Sequence, residues 1–116
     1  MEGVSTSAVF SAGSSGLAES VTEAVNAEGY AVVTGLLDAR GCDDLVAEVD
    51  RVERDHAIDF GKNDFEGFQT RRIFNLIQRS PRFRELVVDE GMLDIIESVL
   101  GVDFLLSGTT SMHLGP

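Results

Sequence analysis

The chain has 116 residues, 43% of them apolar, which suits one modest globular domain with a small core. Twenty acidic against nine basic residues give a formal charge of -11, which repels phosphate backbones and argues against nucleic acid as the main partner. A single cysteine, Cys42, excludes an intrachain disulfide and a thiolate-rich zinc site. No apolar run approaches the roughly 20 residues of a spanning helix and the N-terminus lacks a signal-peptide pattern, so the expected location is cytoplasmic and no membrane partner is expected.

Residues 1–15 carry Ser, Ala, Gly and isolated apolar residues without a period, and are expected to form a flexible tail. Leu17, Val21, Ala24 and Val25 then fall on one stripe of a helix over 16–28, which Gly29 ends. The Val-rich "YAVVTGLL" (30–37) reads as a short buried strand. A second helix should start near Cys42 to Asp44, with Leu45, Val46, Val49 and Val52 inward and Glu48, Asp50, Arg51, Glu53, Arg54 and Asp55 on a solvated face.

Residues 57–70 have two glycines, several Asp and Asn and three Phe without a period, the pattern of a long loop pinned by its aromatics. "RRIFNLIQ" (71–78) reads as a strand buried on both faces. Ser80-Pro81 opens a short helix with Phe83, Leu86 and Val87 inward, and Asp89 caps "EGMLDIIESVL", which Gly101 ends. Met92, Leu93, Ile96, Val99 and Leu100 give that helix a core stripe. "VDFLLSGTTSMH" (102–113) is the last strand, before the turn-like Gly115-Pro116. Helices interspersed with isolated strands give an α+β fold.

Chemistry-bearing motifs are sparse. The two histidines, His56 and His113, belong to no H-x-D or H-E-x-x-H pair, and neither a phosphate loop nor a G-x-S-x-G elbow is present. His113 shares a strand face with Thr109 and Ser111, and the three are the candidate cavity-lining residues, with plain solvent exposure as the alternative. Five arginines, Arg71, Arg72, Arg79, Arg82 and Arg84, crowd into one window, where pairing with nearby Asp and Glu is the expected role and attraction of an anionic ligand the other.

The order of "AEGYAVVTGLLDARGCDDLVAEVDRV" and "RRIFNLIQRSPRFRELVVDEGMLDIIESVLGVDFLLSGTTSMHLGP" resembles the N-terminal part of the phytanoyl-CoA dioxygenase family, over about residues 17–116. The resemblance implies a non-haem Fe(II)- and 2-oxoglutarate-dependent oxygenase that hydroxylates a small organic or acyl-CoA-type substrate. It implies N-terminal helices and the first strands of a double-stranded β-helix, or jelly roll. In that family the H-x-D ligands follow the Gly-Pro turn, and the distal His and the 2-oxoglutarate arginine come later. The resemblance therefore implies a stretch that ends before the ligands, with no catalytic, cofactor or metal residue of its own and no activity alone. The alternative is a small non-catalytic interaction module that self-associates through unpaired strand edges.

Overall fold

The computed structural model describes residues 8–115. Helix and strand are mixed, with nine elements in the described residues: β1 (Val9–Ser11), α1 (Leu17–Glu28), β2 (Val32–Thr34), α2 (Ala39–Asp55), β3 (Thr70–Phe74), α3 (Leu76–Arg79), α4 (Pro81–Val87), α5 (Glu90–Leu100) and β4 (Thr110–Leu114). No helix among them is long and apolar enough to cross a membrane. They divide into two compact units, one holding residues 8–39 and 88–105, the other residues 40–87 and 106–115.

In the first unit α1 packs on α5, and β1 pairs in parallel with β2, Val9 opposite Val32 and Ser11 opposite Thr34. Residues 1–7 of the expected flexible tail lie outside the described residues, whereas residues 9–11 form β1, an element their unpatterned sequence gives no sign of. Among the described residues β2 pairs with β1 alone and spans three residues, so it is not the buried strand expected over 30–37; Val32 and Thr34 are exposed. Helix α1 ends as expected: Gly29 takes a left-handed φ of 87° and its N–H donates to the Val25 carbonyl. The Asp89 carboxylate accepts from the Met92 N–H at 3.0 Å and so caps α5. The α5 stripe is half-buried rather than core, and Leu100 is exposed, because among the described residues of this unit α5 has one neighbouring helix, α1. Across that pair the Thr22 and Ser98 hydroxyls lie 2.6 Å apart.

The second unit is a two-stranded antiparallel sheet, β3 with β4, carrying α2 on one face. Val52 of α2, Ile73 of β3 and Leu76 of α3 form its core, with Val49, Ile58 and Phe83 packed against them. The strand expected over 71–78 stops at Phe74. Asn75 adopts a left-handed φ of 53°, the chain turns into α3, and Leu76 comes round beside Ile73 instead of facing away from it. At this end of the strand burial is one-sided, with Ile73 at 0% exposure and Phe74 at 49%. The last strand is likewise shorter than expected, beginning at Thr110 instead of Val102. Helix α2 starts at Ala39, ahead of the expected Cys42 to Asp44.

Ser80 locks α4 onto α2. Its fully buried hydroxyl donates to the Glu48 carboxylate at 2.5 Å and accepts the Phe83 N–H at 3.3 Å, capping the helix that Pro81 begins. Two guanidinium N–H groups of Arg51 reach the same carboxylate at 2.6 and 3.0 Å. The Arg51 hydrogen bonds and the Ser80 hydroxyl outweigh the cost of partial burial and hold Glu48 well below the usual carboxylate range, at about 2 instead of 4.5. A depressed pKa stabilises the folded state fully above about pH 4.5, and that contribution is lost as pH falls towards about 2. We expect urea titrations of the chain to show this acid-sensitive contribution, about 1–2 kcal/mol after allowance for solvent screening, and the Glu48→Gln variant to lack it. Equal slopes of stability against pH in the two proteins between pH 5 and about 2 would refute the assignment.

Candidate functional site

The side chains with the most chemistry converge where α2 crosses the β3–β4 sheet. Asp50 and Glu53 stand three residues apart on α2 and therefore project from the same side of the helix. Antiparallel register places His113 of β4 directly opposite Arg71 of β3. Both point towards Glu53: the imidazole Nδ1 lies 2.9 and 3.1 Å from its two carboxylate oxygens, and an Arg71 Nη1 lies 3.9 Å from the second. Glu53 is only 8% exposed, so its charge is withdrawn from water and met by these two partners. Arg71 is held in turn by Phe60, whose ring centroid is 4.4 Å from the guanidinium carbon.

A carboxylate can only accept, so the Glu53 contact places a proton on Nδ1 of His113. In the neutral ring this leaves Nε2 with its lone pair, able to accept a hydrogen bond or a proton. Two shallow hollows flank the cluster and share Asp50. One, of about 330 Å³, is lined by Asp50, Glu53, Arg54, Ala57, Ile58 and Arg71. The other, of about 420 Å³, is lined by Val46, Val49, Asp50, Ser111, Met112 and His113.

The three candidate cavity residues thus separate. Ser111 and His113 line the second hollow. The Thr109 hydroxyl instead accepts the Ile77 N–H at 3.2 Å, and its carbonyl accepts the Leu76 N–H at 3.2 Å, so Thr109 satisfies the first turn of α3. Glu53 was not legible as part of a site: it falls among the charged positions of α2, and only the strand pair laid over the helix buries it. The i, i+3 spacing of Asp50 and Glu53 was the available signal, and such spacing is common on solvated helices.

The arginine window is mostly consumed by backbone. Arg72 donates to the carbonyls of Phe65 and Glu66, Arg79 to that of Phe74, and Arg84 to those of Ile77 and Gln78. Only Arg71 and Arg82 pair with carboxylates, Glu53 and Glu85. Pairing with acids was the expected role; instead, three of the five arginines tie down chain segments that lack regular partners. The Arg72 donations, with its guanidinium 5.4 Å from the Phe65 ring, hold the 57–70 loop. The Phe65 and Phe68 side chains themselves are exposed.

The ligand atoms of Asp50, Glu53 and His113 all lie within 4.8 Å of one another. They do not fit the two-histidine, one-carboxylate iron centre that the oxygenase resemblance implies. The group has one imidazole, and the Glu53 oxygens already face a donor N–H and a guanidinium whose charge opposes a divalent cation. No family model, no curated protein and no solved structure matches the chain.

Proposed function

We propose that this chain is the N-terminal part of a phytanoyl-CoA dioxygenase-like domain, whose complete form would be a jelly-roll oxygenase using Fe(II) and 2-oxoglutarate to hydroxylate a small organic or acyl-CoA-type substrate. The support is the order of elements along the chain. Helix α1, the Val-rich β2, helix α2, the long loop, β3, α4, α5 and the strand β4, which ends at Leu114, follow one another as in the resemblance. The observation that carries most weight is the antiparallel β3–β4 pair backed by a helix, as the first strands of such a barrel would be. On this reading Ser111 and His113 are the residues of this stretch available to touch substrate or cosubstrate, and the 116 residues hold none of the H-x-D, distal His or cosubstrate Arg positions.

Two polypeptides test the reading, these 116 residues and the product of the same reading frame extended beyond Pro116. Iron-dependent conversion of 2-oxoglutarate to succinate is expected from the extended protein and not from the shorter one. Stoichiometric turnover by the shorter chain would sink the proposal, as would an extension without H-x-D. The second reading, a non-catalytic interaction module, is favoured by one observation: among the described residues nothing pairs with the outer edge of β4.

A further inference from the structure

Helix α5 ends beside an apolar hollow. Leu100, Gly101, Val102, Asp103, Phe104 and Leu105 line a space of about 460 Å³, and all six belong to the first unit. Leu100, Val102 and Leu105 are 68, 75 and 90% exposed, so the hollow offers apolar contact that no described residue takes up. The polar groups next to it are acceptors. The Gly101 N–H donates to the Glu97 carbonyl at 2.8 Å, but the carbonyls of Ser98, Val99 and Leu100 receive no backbone N–H among the described residues. Asp103, the one ionisable residue of the six, adds a carboxylate.

Open carbonyls at a helix C-terminus are the negative end of its dipole, which a lysine or arginine in the last turn stabilises. The last turn of α5 has neither. Nor does the rest of the unit supply one: residues 8–39 contain four acids and residues 88–105 five, without a Lys, Arg or His, whereas all nine Lys and Arg of the chain fall between positions 40 and 84. The first unit thus joins an exposed apolar hollow to a surface of a single sign.

We propose that the hollow at the C-terminal end of α5 docks a basic, leucine-bearing peptide segment of another protein. An arginine of that segment meets the open carbonyls and Asp103, and its apolar side chains cover Leu100, Val102 and Leu105. Charge complementarity selects this occupant. A guanidinium carries five N–H donors and suits a cluster of acceptors, while an anionic ligand finds only like charge there. A second copy of the chain brings a further -11 and is repelled, and a bare cation leaves the apolar side chains in water. The proposal is independent of the oxygenase reading, because it uses only residues of the first unit.

The test is fluorescence anisotropy of a dye-labelled peptide, leucine-arginine-leucine-leucine-arginine, titrated with the chain. Two control peptides carry glutamine for both arginines or serine for all three leucines. We expect saturable binding of the first peptide, at least about tenfold weaker binding of each control, and affinity that falls as salt rises from about 0.05 to about 0.5 M. Asp103→Asn and Leu105→Ser alter exposed side chains, so the fold is kept, and each should weaken the parent peptide at least about threefold. Absence of saturation at millimolar protein overturns the proposal. Equal binding of the serine peptide does so too, since it would show only general attraction to an acidic surface, as does full affinity in both variants. In the protein extended beyond Pro116, protection of the Val102–Leu105 amides from hydrogen exchange without peptide would assign the hollow to its own chain and overturn the proposal as well.

Discussion

Replacing Ile73 by alanine is expected to destabilise the second unit by about 2–5 kcal/mol, the range for truncating a fully buried β-branched core residue. Ile73 has no exposed surface and sits between Val52 and Leu76, the two other buried members of its cluster. With so few buried side chains, neighbours have little material with which to fill the cavity, which places the cost high in that range. The matched control is Phe74→Ala, one position along the same strand but half-exposed, expected to cost about 1 kcal/mol or less. Urea midpoints of the two variants measure the contrast. Equal losses would show that the strand is buried on both faces, as its sequence alone suggests.

His113→Ala should cost about 2–3 kcal/mol, because it leaves the Glu53 carboxylate buried with only the more distant Arg71. Glu53→Gln keeps a hydrogen-bond acceptor without the charge and should be milder. The double variant is expected to lose less than the sum of the single changes, a coupling of about 1 kcal/mol or more, since either substitution already removes their shared contact. Strict additivity would mean that the imidazole and the carboxylate do not stabilise each other. The same variants bear on the functional reading. If His113 touches a cosubstrate in an extended protein, conservative replacement by Asn or Gln should affect turnover beyond what the loss of stability explains.

Local signals in the chain were strong where they depend on a few neighbouring residues. Gly29 ends α1, Asp89 caps α5 and Ser80-Pro81 opens α4, because capping needs only one side chain or a left-handed backbone within a single turn. The α+β class followed from the same patterns. Strand lengths did not. "RRIFNLIQ" has the composition of a continuous strand, yet Asn75 reverses the chain and Leu76 returns to the core, an outcome that depends on what α2 offers to pack against. Val9–Ser11 gave no period at all and became a strand only because β2 lies alongside it.

The candidate site divides in the same way. The sequence by itself determined that His113 and Ser111 share one side of a strand, since side-chain direction in a strand has period two, whereas Thr109, expected beside them, lies just ahead of β4. It also determined the acidic balance and the absence of ligand-spaced histidines. Only the tertiary structure decided which of the three lines a hollow, which caps a helix, and that Glu53 leaves the solvated face of α2 to meet His113 and Arg71. Burial of a charge is set by what is laid over it from distant parts of the chain. Residues 53, 71 and 113 are brought together by strand register and helix packing, neither of which any one of their local sequences encodes.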